Sequence, residues 1–170
     1  MTYPLVPPAS PPIVAQSYIE ACISNGQAYG VLYTQTIGGS AQGQYGLSIF
    51  NPANSGKTIR VFSIQTMENY SNTTTWIYLN TADPAYNQNL STAIVNLQGG
   101  GPASVLGSHV TANSASVSFP GTGNASMALG SPEVISNKGV YVLPPGNGLV
   151  ALIFVGNSQE YALAAKWLEL

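Results

Sequence analysis

A single histidine, His109, and a single cysteine, Cys22, are the side chains of this 170-residue sequence best suited to act as a neutral-pH base or a thiol nucleophile. Nucleophilic catalysis needs a nucleophile, a base and a group that orients the base. His109 stands in the small-residue run Leu106-Gly-Ser-His-Val110, and no G-x-S-x-G elbow or cysteine-protease signature surrounds any serine or Cys22. His109 therefore reads as a surface or interface histidine and Cys22 as a buried small hydrophobe, and no catalytic residue is expected. The carboxylates are Glu20, Glu68, Asp83, Glu133, Glu160 and Glu169. Glycoside hydrolysis needs two carboxyl groups about 5 to 9.5 Å apart, and no two of these fall on one predicted strand face. One aspartate is too few for a calcium loop. One cysteine makes neither an internal disulfide nor a four-thiolate zinc site, so neither metal nor cofactor is expected.

The segment Asn51-Pro-Ala-Asn-Ser-Gly-Lys57-Thr58 ends as a phosphate-binding G-x-x-x-x-G-K-[ST] loop ends. Asn51 occupies the place of the first glycine, however, and Thr58 to Ile64 alternates as a strand where the mechanism needs a helix N-terminus. A hairpin connection is the better reading. Asn69, Asn72, Asn89 and Asn124 open N-x-[ST] triplets, which chance supplies in so Asn-, Ser- and Thr-rich a chain. Tyr70, Trp76, Tyr78 and Tyr86 share one region with Asn69, Asn72, Asn80, Asn87 and Asn89, the mixture of rings and amides that a sugar-binding face uses. The simpler expectation is that Trp76 and Tyr78, two apart on one strand, fill the core.

The elements that must position these groups follow from composition and period. Hydrophobic residues make up 45% of the chain, enough for a single domain with its own core. Pro4, Pro7, Pro8, Pro11 and Pro12 fix φ and remove donors, predicting an extended N-terminal arm over 1–13 and one folded domain over 14–170. Val14, Tyr18 and Cys22 then recur every four residues before Asn25-Gly26, the pattern of a short helix and its stop. From Tyr29 onward, short β-rich segments alternate with Gly, Asn, Pro and Ser clusters. Nine strands are predicted, near 29–36, 44–50, 58–67, 74–80, 92–97, 114–119, 139–143, 149–155 and 161–168. Tyr161, Leu163, Ala165 and Trp167 alternate with smaller or charged residues, so one face of that strand enters the core. Leu149 to Val155 is apolar on both faces and reads as a central strand. Residues 99–130 read as a long surface loop with one short strand. The fold class is all-β, an antiparallel sandwich of jelly-roll type.

Only 6% of residues are charged, against about 25% in an average soluble domain. Lys57, Arg60, Lys138 and Lys166 with a net charge of -2 offer little to phosphate, so no nucleic-acid partner is expected. Seven residues is the longest purely apolar run, far short of the roughly 20 that span a bilayer. No membrane partner is expected, and the first residues lack the pattern of a secretory signal. Ser, Thr, Asn and Gln supply 53 of the 170 residues and replace charge as the polar component. A surface so poor in ions gives little colloidal repulsion, which points to contact with other copies or to a life outside the crowded cytoplasm.

Three segments together resemble β-sandwich structural proteins of tailed-phage virions, especially head-decoration and capsid-associated proteins. They are Leu47-Ser-Ile-Phe-Asn-Pro-Ala-Asn-Ser-Gly-Lys57 feeding Ile59 to Phe62, Val142-Leu-Pro-Pro-Gly146 feeding Leu149 to Phe154, and the final strand closing on Trp167-Leu-Glu169. The resemblance implies a noncatalytic virion subunit, commonly trimeric, that docks on the major capsid protein or another virion component and uses its terminal arm as an assembly arm. The alternatives are a carbohydrate- or receptor-binding module of a tail tip and an extracellular filament subunit.

Overall fold

The computed structural model describes residues 11–37, 43–68, 75–84, 86–115, 126–129, 141–155 and 160–170. Its first element is helix α1, Pro11–Ser24. Eleven strands follow: β1 Ala28–Thr36, β2 Gly43–Asn51, β3 Ile59–Glu68, β4 Thr75–Thr81, β5 Gln88–Asn89, β6 Val95–Asn96, β7 Val110–Ala112, β8 Ser126–Leu129, β9 Tyr141–Leu143, β10 Asn147–Val155 and β11 Glu160–Glu169.

The strands form two antiparallel sheets, ordered β6-β1-β11-β3-β9 and β5-β7-β2-β10-β4-β8. Without the short β5, β6 and β7, the orders are β1-β11-β3-β9 and β2-β10-β4-β8. The chain passes repeatedly from one sheet to the other, the two-Greek-key arrangement of a jelly roll. The predicted all-β sandwich is therefore correct. Residues 86–112 are an insertion in this frame, adding β7 to the free side of β2 and β6 to the free side of β1.

The two closing strands show why the pattern folds this way. In β11, Tyr161, Leu163, Ala165 and Trp167 are all buried in the inter-sheet core, as the period-2 alternation predicts. Strand β10 lies between β2 and β4, and both of its faces bury apolar residues. Leu149, Ala151, Ile153 and Val155 join the core, while Val150 and Leu152 are equally buried on the outer face. Burying one such side chain contributes about 1.5–3 kcal/mol. Stacking of Tyr29 on Trp167, 6.2 Å between centroids, fills the end of the core beside the last strand.

Helix α1 covers one end of the first sheet's outer face, where Cys22, Ala28 and Leu168 make a second buried cluster with Phe62, Leu97 and Leu170 beside it. Its stop is a Schellman motif: Gly26 has φ 69°, its N–H donates to Ile23 O, and Gln27 N–H donates to Cys22 O. Glycine fits there because φ is positive. The helix opens at Pro11, so Pro11 and Pro12 belong to its first turn and not to the extended arm, consistent with the fit of proline to an N-terminal turn. Pro4, Pro7 and Pro8 lie outside the described residues.

Two further expectations need correction. The 52–58 connection is not a hairpin, since β2 and β3 belong to opposite sheets; it carries the chain across the sandwich. The strand expected over 92–97 shrinks to Val95–Asn96. Asn89 Oδ1 accepts from Ser91 N–H and Asn96 Oδ1 accepts from Gln98 N–H, and these local bonds turn the backbone away from a ladder. The glycine-rich stretch holds a strand at Val110–Ala112, where Thr111 opposes Ser48 of β2; of the strand expected over 114–119, residues 116–119 lie outside the described residues. A further strand, β8, follows at Ser126–Leu129.

Candidate functional site

Strand β4 decides where the aromatic residues go. Ile77 lies in the inter-sheet core with Leu79 packed against it, and side chains alternate along a strand. Trp76 and Tyr78 therefore project from the outer face of the second sheet, opposite Leu152 and Val150. The expectation that they fill the core is overturned. The strand is apolar on both faces, and the larger rings take the outer one, where they are half-buried.

Tyr86 joins them from the loop before β5. A Cβ on Gly46 would stand 2.5 Å from Leu152 Cδ2 and 3.0 Å from the Tyr86 ring, so the phenol lies on the bare backbone of Gly46, beside Leu152. Its N–H donates to Thr111 Oγ1 at 3.3 Å, and burial pushes its pKa up to about 12. Thus three of the four residues proposed for sugar binding, Trp76, Tyr78 and Tyr86, share one outer face; Tyr70 lies outside the described residues. Amide and hydroxyl groups border the face. Asn87 Nδ2 and Gln88 Nε2 both donate to Ser114 Oγ, at 2.9 and 3.2 Å. Ser48 Oγ and Thr81 Oγ1, both buried, have no hydrogen-bond partner.

At the other end of this sheet, His109 Nδ1 lies 2.6 Å from Asp83 Oδ2, with side-chain exposures of 39% and 22%. The imidazole packs on Phe50 at 5.8 Å between centroids. The pair orients one ring nitrogen and leaves Nε2 directed away from the carboxylate. A His–Asp couple is two-thirds of a nucleophilic triad, yet no described hydroxyl or thiol hydrogen-bonds to His109, and Cys22 belongs to α1, packed on the other sheet. Nothing in the sequence signals this pairing, because 26 residues separate the partners.

A second group whose contacts the sequence did not signal is Glu169. It is buried, and its carboxylate accepts from Ser104 Oγ at 2.5 Å, Val105 N–H at 3.1 Å and Trp167 Nε1 at 3.2 Å. These bonds pin the 103–106 segment to the end of β11. Above it opens a cleft of about 620 Å³ lined by Tyr29, Asn96, Ser104 and the backbone of Gly99 to Gly101. Asn96 Nδ2 donates to Gly26 O and Pro102 O, so one amide ties the cleft wall to the end of α1. Burial and the nearby Glu169 charge raise the Tyr29 phenol above its ordinary range.

Among the described residues no group of three or more His, Cys, Asp or Glu could hold a metal ion. Asp83 meets His109, whereas Glu169 meets Ser104, Val105 and Trp167. Comparison with known proteins finds no matching family model, no similar curated protein and no similar solved structure.

Proposed function

We propose that this chain is a noncatalytic structural subunit of a virion, a capsid decoration or stabilising protein that self-associates and docks on a larger protein lattice. The observation that carries the reading is a jelly-roll strand order built from a chain with ten charged residues in 170. Jelly rolls recur in viral capsids, and a surface this poor in ions is better suited to lying against protein than to repelling it. Residues 1–10, with Pro4, Pro7 and Pro8, supply an arm for a neighbour.

The test is light scattering with negative-stain microscopy on the purified full chain. Closed oligomers are expected. A dispersed monomer throughout the micromolar range removes the reading, and open fibres replace it with a filament subunit. Deleting residues 1–10 is expected to leave a folded sandwich that docks poorly.

A second reading, a carbohydrate-binding module, is favoured by the clustering of Trp76, Tyr78 and Tyr86 on one outer face. Retention on a polysaccharide column that Trp76→Ala abolishes, with the circular dichroism unchanged, would establish it.

A further inference from the structure

We propose that the free side of β1 is a self-pairing edge, in which Leu32, Thr34 and Thr36 of one copy bond to the same three residues of a second copy about a two-fold axis at Thr34. The proposal rests on the reading of the chain as a self-associating subunit and identifies one of its contacts.

The direction of the backbone groups follows from two hydrogen bonds. Leu97 N–H donates to Ala28 O at 2.9 Å on the β6 side, whereas Glu169 N–H donates to Gln27 O at 2.9 Å on the β11 side. Successive residues of a paired strand direct their bonds to opposite sides. From Ala28 onward, the even-numbered residues therefore aim N–H and C=O at the β6 side. Strand β6 uses this edge only beside Tyr29 and Gly30. Beyond it, among the described residues, no strand pairs with this side of β1. Leu32, Thr34 and Thr36 thus offer three donors and three acceptors in a row, and the side chains of all three are exposed, Leu32 at 60%.

Proteins blunt such edges with charge, proline, bulges or brevity. The other outermost strands are short: β5 and β6 have two residues, β9 three and β8 four. Strand β3 also runs on past β9, but it carries a bulge opposite Lys166/Trp167 and ends in Glu68. The segment Val31–Thr36 has none of these defences. No charged residue occurs anywhere in β1.

A second copy of the same edge is the occupant that fits. Antiparallel pairing centred on Thr34 sets Leu32 against Thr36 of the second copy and Thr34 against its own equivalent. All three outward-facing residues then make reciprocal bonds, Thr meets Thr across the axis, and no like charges oppose each other. Strand β6 limits the match to Leu32–Thr36. The N-terminal arm fits less well: Pro4 and Pro7 have opposite parity along an extended chain, so every three-residue register within residues 2–10 sets a proline where a donor is needed, and only one through Met1, Tyr3 and Leu5 avoids it. The two-fold contact is distinct from any three-fold contact the resemblance implies.

Light scattering of the full-length wild type, Thr34→Pro and Leu32→Lys across the micromolar range tests this, together with amide hydrogen exchange. Proline at 34 removes a donor aimed out of the sheet, so the fold survives it; Leu32→Lys provides an independent exposed change. Both variants are expected to associate at least tenfold more weakly with unchanged circular dichroism, and the amides of Leu32, Thr34 and Thr36 are expected to gain protection only in assembled wild type. Assembly by both variants as in wild type, with those amides unprotected, overturns the edge while leaving the subunit reading intact. A wild type that stays monomeric overturns both. Loss of assembly on deleting residues 1–10, with Leu32→Lys unaffected, gives the contact to the arm and overturns the edge.

Discussion

Replacing Glu169 with alanine tests how the 103–106 segment is held against the sandwich. Glu169 is 3% exposed, and its two oxygens accept from Ser104 Oγ, Val105 N–H and Trp167 Nε1. Alanine removes all three acceptors at once. Trp167 is fully buried, so its indole N–H has no route to water, and a buried unsatisfied donor costs about 1–3 kcal/mol. Ser104 and Val105 are partly exposed, and losing a bond there costs about 1 kcal/mol each. The sum is about 3–5 kcal/mol, a large part of the 5–15 kcal/mol that holds a typical domain. For a chain of this length each kcal/mol moves the melting temperature by about 2–4 °C, so a fall of about 6–20 °C is expected. Glu169→Gln keeps the shape and one carbonyl oxygen, but sets an amide N–H₂ against one of the donors, and is expected to fall between wild type and alanine. Differential scanning calorimetry ranks the three. An alanine variant that melts within about 2 °C of wild type would refute the view that this carboxylate organises the loop.

Gly46→Ala drives a methyl group to 2.5 Å from Leu152 Cδ2 and 3.0 Å from the Tyr86 ring; overpacking of this kind costs about 1–3 kcal/mol, and urea titration is expected to show it. Burial holds the Tyr86 phenol neutral up to about 12 and also raises Tyr161. The unfolded chain gives up these protons near 10.0, so stability is full below that pH and falls as pH climbs from about 10 to 12. Tyr86→Phe is expected to flatten part of that fall in a thermal-melt series. Asn51→Ala breaks the bonds from Asn51 Nδ2 to Lys57 O and Leu143 O, both 2.9 Å, and chemical denaturation is expected to register a loss of about 1–3 kcal/mol. By contrast, His109→Ala removes a pair exposed at 39% and 22%, and its effect on the melting temperature is expected to stay under that of a loss of about 1 kcal/mol.

The frame of the fold was legible because its long strands declare themselves by period and length. Strand β11 needed one buried face and showed it in every second residue; β10 needed two and showed an unbroken apolar run. The stop of α1 was legible in Asn25-Gly26, where a glycine suits a left-handed backbone. Strand β4 was legible as a strand but not in orientation. Alternation tells that Trp76 and Tyr78 share a face, and it does not tell which face when Ile77 and Leu79 are equally apolar. The site contacts were beyond local pattern: Asp83 and His109 are separated by 26 residues and Ser104 and Glu169 by 65. Only the path of the inserted segment brings either pair together.

That insertion also changes the meaning of the amide-rich composition. Read as composition, Asn and Gln look like a neutral coat for the surface. In the structure several are spent on backbone carbonyls of the loops. Asn51 holds the crossing from β2 to β3, Asn96 ties Pro102 to the end of α1, Gln98 Nε2 donates to Ser24 O, and Gln35 Nε2 donates to Ser114 O. An amide can satisfy backbone carbonyls in a half-buried loop without the desolvation penalty that a charged group would bring. This is how a long connection with few regular hydrogen bonds stays ordered in a chain with so few charged residues to fix it. The consequence falls on the exterior. With these amides committed to the loops and charge nearly absent, the exposed outer face and free edge of β1 are left with threonine and leucine, a surface on which backbone hydrogen bonds are the strongest means of contact. An uncharged edge of that kind selects its partner by register, and the register that Leu32, Thr34 and Thr36 fit best is their own.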